Sequence, residues 1–188
     1  MTAAALGQLE AACRQCTRCD LAATRNNVVF GAGSAHARVM IIGEAPGKNE
    51  DLAGEPFIGA AGKLLDKMLE RAGIARKDVY IANICKCRPP SNRNPKRAEI
   101  EACTPWLDAQ IEAVSPAFVV TLGNFATRFM LSTKEGITQL HGRILQKGAL
   151  SIVPMFHPAA CIYDRSKVTA LEADFDMLGS LLAATKES

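Results

Sequence analysis

Apolar positions along the chain change period several times, and each change marks an element. Val39-Met40-Ile41-Ile42 is a short unbroken apolar run closed by Gly43, the pattern of a strand buried on both faces that feeds a loop. A long stretch rich in Gly, Pro and charge follows, through Phe57 and Gly59. Ala61, Leu64, Leu65, Met68, Leu69 and Ala72 then fall at helical spacing, with Gly73 as the stop signal. Val79 to Ile84 predicts the next strand. The run Arg88-Pro89-Pro90-Ser91-Asn92-Arg93-Asn94-Pro95 predicts no regular structure, because its prolines lack the N–H that helix and ladder need. Ile100, Cys103, Leu107, Ile111 and Val114 mark another helical face, within which Thr104-Pro105 offers a start for a second helix. Phe118 to Leu122 predicts a third strand, Asn124 to Leu131 a helix, and Ser151 to Phe156 a fourth strand ending at His157. Val168, Leu171, Phe175, Leu178 and Leu182 line the last helix.

Strands alternating with helices predict an α/β fold, a three-layer α/β/α arrangement around a mostly parallel central sheet of about four strands. Neither an internal repeat nor a Gly/Ser linker divides the chain, so residues 1–188 are expected to form a single domain. Ligands bind such sheets at the strand C-termini. Gly43 to Gly47, Asn83 and His157 all fall there, and the fold would bring them along one edge.

Composition narrows the function. With 48% hydrophobic and 22% charged residues, the 188-residue chain is not a disordered tail. No stretch approaches the roughly 20 apolar residues of a membrane span, and Met1 to Leu9 lack an export signal. A cytoplasmic protein with no membrane association is expected. The net charge of +3 is too small to imply nucleic-acid binding by itself.

Seven cysteines without an export signal point to thiols or metal ligands rather than disulfides. Cys13, Cys16 and Cys19 form C-x-x-C-x-x-C, Cys85 and Cys87 flank Lys86, and Cys103 and Cys161 follow. Two clusters of thiolates suit one zinc ion or one iron–sulfur cluster, and spacing does not choose between them. Nor does it choose ligands, since Cys13 competes with Cys16 and Cys19, and Cys85 with Cys87. Cys161 lies apart. The competing reading is that these are small buried hydrophobes.

Gly43-Glu44-Ala45-Pro46-Gly47 has neither the G-x-G-x-x-G nor the G-x-x-x-x-G-K-[ST] pattern, which argues against dinucleotide and P-loop sites. It does set the Glu44 carboxylate at the sheet edge. Glu50 and Asp51 add acids nearby, and mutual repulsion with partial burial raises a carboxylate pKa toward the range useful for base catalysis. The plainer alternative is a solvated acidic loop. Phe57, an aromatic inside a loop, is either a local anchor or a stacking surface.

Five ordered blocks then combine: Cys16-x-x-Cys19-x-Leu21-x-x-Thr24-Arg25; Gly43-Glu44-Ala45-Pro46-Gly47; Pro56-Phe57-x-Gly59-x-Ala61-Gly62; Asn83-x-x-Lys86-Cys87-Arg88-Pro89-Pro90-x-Asn92-Arg93, with Cys103 sixteen positions beyond Cys87; and His157-Pro158-Ala159. Together they resemble the family 4 uracil-DNA glycosylases, from about Cys16 to Pro158. The resemblance implies a uracil-DNA glycosylase-like fold and a four-iron, four-sulfur cluster on Cys16, Cys19, Cys87 and Cys103, with Cys13 and Cys85 as bystanders. It implies a monomer that acts on uracil-containing DNA, hydrolysing the N-glycosidic bond without strand cleavage. Two departures stand out. Glu55 replaces the arginine common before Pro-Phe, and Cys161-Ile162-Tyr163 leaves Ile162 and Tyr163 as candidates for the residue that wedges into DNA.

That resemblance assigns roles by chemistry. Asn83 reads the extruded base, its NH2 donating to O4 and its carbonyl accepting from N3–H. Phe57 stacks on the base, and His157 hydrogen-bonds O2 where charge gathers as the bond breaks. Glu44 positions or deprotonates the water, with Glu50 its competitor. Gly43, Ala45 and Gly47 lend backbone to the base or a phosphate. Lys86, Arg88 and Arg93, with Lys96 and Arg97, are expected to neutralise DNA phosphates. The alternative function is a non-catalytic nucleic-acid-binding protein stabilised by a metal or cluster.

Overall fold

The structure, a computed structural model, describes residues 3–162 and 164–185. Among the described residues six strands, β1 (Ala32–Gly33), β2 (Val39–Gly43), β3 (Tyr80–Asn83), β4 (Phe118–Leu122), β5 (Leu145–Lys147) and β6 (Leu150–Met155), form one sheet in the order β1-β3-β2-β4-β6-β5. The four inner strands are mutually parallel, whereas β1 and β5 run antiparallel at the edges. The expected count of about four strands omits these two edges. At two and three residues they are too short for a period-2 pattern to emerge, and that brevity also protects the sheet from pairing with other chains.

Eight helices accompany the sheet among the described residues: α1 (Ala3–Arg14), α2 (Lys48–Ala53), α3 (Ala60–Arg71), α4 (Arg97–Val114), α5 (Gly123–Leu131), α6 (Ile137–Leu140), α7 (Pro158–Cys161) and α8 (Arg165–Ala184). Strand alternation distributes them in two layers. Val39 and Ile41 of β2 enter one core with Leu65 and Leu69 of α3 and Leu171, Phe175 and Leu178 of α8. Met40 and Ile42 enter the other with Leu107 of α4 and Ala126 and Met130 of α5. Helix α1 packs outside α4.

Three local results differ from the sequence pattern. Helix α2 lies inside the stretch read as irregular, between Gly47 at its N-cap and Gly54, whose φ of 78° ends it. Helix α4 continues through Pro105 instead of restarting there. The ring forfeits the bond to the Glu101 carbonyl, and the Thr104 hydroxyl bonds the Ile100 carbonyl at 2.8 Å in the same turn. Helix α1 lies in a stretch with no predicted element and packs against α4.

The parallel strands deliver their C-termini to one edge. Gly43 ends β2, Asn83 ends β3, Leu122 leads into Gly123 from β4, and β6 is followed by Phe156 and His157. The chain leaves β2 toward β3 and later returns on its other side to β4, so this edge holds the topological switch where a ligand crevice forms. Among the described residues no helix is long and apolar enough to cross a membrane.

Candidate active site

A cavity of about 360 Å³ opens at that edge, bounded by Glu44, Ala45, Gly47, Glu50, Phe57, Asn83, Arg93 and His157. Residues spread over more than a hundred positions of sequence therefore share one wall. Gly43 lies directly behind it. A Cβ there would collide with Asn83 Oδ1 and come within 2.8 Å of the Phe57 ring, so only glycine lets both side chains close over the strand end.

Asn83 is 2% exposed, and its Oδ1 is buried without a hydrogen-bond partner among the described residues. Leaving such an acceptor unpaired costs about 1–3 kcal/mol, a cost that a ligand donor would remove. Phe57 is held in an uncommon left-handed conformation, with φ of 53°. Its loop is pinned from two sides. Glu50 Oε1 accepts from the amides of Ile58 at 3.0 Å and Gly59 at 2.9 Å, and Arg76 Nη2 donates to the carbonyls of Pro56 at 2.7 Å and Phe57 at 3.2 Å. The first turn of α3 also presses on the Phe57 carbonyl, leaving no room for a Cβ at Gly62.

The two glutamates thus differ. Glu50 is committed to backbone amides, while Glu44 is half-buried and burial raises its pKa. The third acid, Asp51, is buried beneath α2 and accepts from the Asn26 amide at 2.9 Å and the Asn27 amide at 3.3 Å, a structural tie to the N-terminal segment. His157 caps α7, its Nδ1 accepting from the Ala159 amide at 3.1 Å, and its ring centroid is 5.6 Å from that of Phe57. Desolvation lowers its pKa to about 4.

On the other side of β3, a second small cavity is lined by Cys13, Cys16, Cys19, Cys87 and Cys103. Their segments are α1 and the turn after it, the chain following β3, and α4. Two sulfurs receive N–H donors: the Lys86 amide reaches Cys103 Sγ at 3.2 Å, and Arg25 Nη1 reaches Cys87 Sγ at 3.5 Å. The neighbouring Cys85 thiol bonds Cys103 and pulls its pKa down. Burial drives Cys13 up to about 12 and Cys87 up to about 11. Among the described residues no three His, Cys, Asp or Glu converge closely enough to share a single metal ion. Thiols ringing a cavity, with N–H groups on two of them, fit a cluster that spreads its ligands over several irons.

A family model described as the uracil DNA glycosylase superfamily matches residues 30–178. The chain belongs to that superfamily. It is 41% identical over 174 residues to a type-4 uracil-DNA glycosylase of Archaeoglobus fulgidus, covering 88% of this chain and 87% of the relative. A type-4 enzyme of Thermotoga maritima is 43% identical over 155 residues, 81% of each chain. A type-5 uracil-DNA glycosylase of Pyrobaculum aerophilum is 31% identical over 154 residues, 73% of this chain and 68% of the relative.

In this superfamily member the basic residues divide. Lys86, expected to meet phosphates, is 1% exposed, with Nζ donating to the Asn83 carbonyl at 2.6 Å and to Gln110 Oε1. Its burial excludes a DNA contact, and desolvation lowers its pKa to about 8. Arg93 lines the cavity but is paired through two bonds, at 2.6 and 2.8 Å, with the buried Glu99 carboxylate. Arg88 is half-buried, its Nε donating to Asn92 Oδ1 at 2.7 Å beside the cavity rim. Ile162 is 40% exposed just past α7, and Tyr163 lies outside the described residues. Arg76 and Gln110 contribute to the sites without having drawn notice in the sequence. A lone arginine or glutamine carries no local signal of the distant partner it meets.

Proposed function

We propose that this superfamily member removes uracil from DNA by hydrolysing the N-glycosidic bond, leaving an abasic site and an intact strand. One observation carries the reading: the buried, unpartnered Oδ1 of Asn83 in a cavity shared with Phe57, Glu44 and His157. Uracil N3–H is the donor this oxygen lacks, and the amide NH2 suits O4. Phe57, fixed by Glu50 and Arg76, supplies the stacking face, a contribution of about 1–3 kcal/mol. Ala45 and Gly47 allow close backbone approach to the base, whereas Gly43, covered by Asn83 and Phe57, makes room for those two side chains instead.

The tautomer of His157 follows from its cap. Because Nδ1 accepts from the Ala159 amide, the neutral ring carries its proton on Nε2, which is available to donate to uracil O2 as negative charge develops. Glu44, with its raised pKa and, among the described residues, no backbone amide on its carboxylate, positions or deprotonates the attacking water, while Glu50 acts through the Phe57 loop. Ile162 and Tyr163 are the wedge candidates. Cys16, Cys19, Cys87 and Cys103 would hold a four-iron, four-sulfur cluster, which when bound ties the N-terminal turn to the Pro-rich wall of the cavity.

Incubating the purified protein with a uracil-containing oligonucleotide should yield free uracil and an alkali-labile strand. An intact strand at all salt concentrations and temperatures tried would favour a binding protein instead. The pH profile tests the roles. Activity should rise through one acid limb, shifted above the ordinary carboxylate value by Glu44, and then hold level, because His157 is already neutral above about 4. A fall in rate as pH rises through about 6 to 7 would require a protonated histidine and overturn the assignment. For DNA contacts, Arg88→Ala should flatten the salt dependence of binding by about one unit of log–log slope. An unchanged slope would place the backbone elsewhere.

A further inference from the structure

We propose that Lys86 is a positioning residue that links the cysteine site to Asn83 and holds the base-reading amide in place, an inference that rests on the function proposed above. An ammonium with 1% exposure is costly unless its donors are met. Lys86 Nζ spends one on the Asn83 carbonyl at 2.6 Å and one on Gln110 Oε1. Gln110 is itself fixed, its Nε2 donating to the Phe30 carbonyl at 2.8 Å and to the Tyr80 hydroxyl at 3.0 Å. The ammonium is thus anchored at one end by a rigid acceptor and pulls at the other on the peptide that carries Asn83.

The backbone of the same residue faces the cysteines. Its amide donates to Cys103 Sγ at 3.2 Å, and its carbonyl accepts from Val29 N at 2.8 Å. Among the described residues no Asp or Glu forms an ion pair with Lys86. Lys86 instead lines the small cavity together with Cys13, Cys87 and Cys103. A continuous path therefore runs from Cys103 through Lys86 to Asn83 and the uracil cavity. Asn83 needs such support because its side-chain oxygen makes no bond of its own and its orientation depends on the backbone behind it.

The test is a double-mutant cycle on the iron-loaded protein. Lys86→Met keeps the stem and removes the N–H donors. In the otherwise native chain it should leave iron per chain unchanged and slow single-turnover uracil release about ten- to a hundredfold, with weaker inhibition by free uracil. In an Asn83→Ala background the same change should alter the residual rate by less than about twofold, because the residue it positions is gone. Gln110→Leu, which frees the ammonium without deleting it, should give a smaller loss that also vanishes in that background. Equal factors in both backgrounds, or no loss at all, would overturn the inference while leaving uracil excision intact. So would loss of iron or of the folded state in both variants, which would make the network structural only. Absence of uracil release by the native protein would remove the functional reading and this inference with it.

Discussion

Asn83→Asp is expected to keep its fold and iron content yet release uracil about 30 to 1,000 times more slowly than the native chain. An aspartate is nearly isosteric but, when ionised, only accepts hydrogen bonds, so the donor for O4 becomes a repelling oxygen. Burial at 2% exposure adds the cost of placing a charge where Asn83 now has a neutral amide. One bond lost and one opposed amount to about 2–4 kcal/mol in the transition state, hence the range of rates. Single-turnover release and iron analysis on one preparation measure both halves. A variant within about threefold of the native rate would take Asn83 out of base recognition.

The second large effect lies at the cysteines. Cys87→Ala should lose iron, fall sharply in soluble yield and unfold more than about 10 °C lower, because binding a cluster is coupled to folding of the segments that ligate it. Those segments include the run from Arg88 to Asn94, part of which walls the proposed uracil cavity, so activity should go too. Cys13→Ala is the control: the family pattern leaves Cys13 outside the ligand set, and the variant should retain full iron. Native iron stoichiometry in Cys87→Ala would refute the ligand set.

Much of the fold was legible because its signals are local. The unbroken run at Val39 to Ile42 and the helical spacing from Ala61 to Ala72 appear as β2 and α3, since burial on both faces and on one face impose different periods on residues two to four apart. Phe57 stood out as an aromatic off any periodic face. Asn83 and His157 stood out as polar residues closing apolar runs, and the structure sets all three on one cavity. Edge strands and α2 were illegible for the opposite reason: two or three residues carry no period, and what fixes α2 includes the bonds of Asp51 to Asn26 and Asn27, about 25 positions away.

Lys86 is the instructive case. Beside Arg88, Arg93, Lys96 and Arg97 it reads as one more surface cation, and residue type alone favours exposure. What reverses this is an acceptor on α4, Gln110, held in turn by Phe30 and Tyr80. In the same way Glu44 and Glu50 look interchangeable until one of them is found holding the amides of Ile58 and Gly59.

Alone, the order of residues determined the layered α/β arrangement, the strand ends where chemistry collects and the family to which those motifs point, because periodicity and motif spacing are properties of near neighbours along the chain. Only the tertiary structure decided which carboxylate holds the Phe57 loop, which histidine nitrogen accepts the cap amide and which lysine lies inside. Those outcomes depend on hydrogen bonds and desolvation between residues that meet only once the sheet and helices have packed.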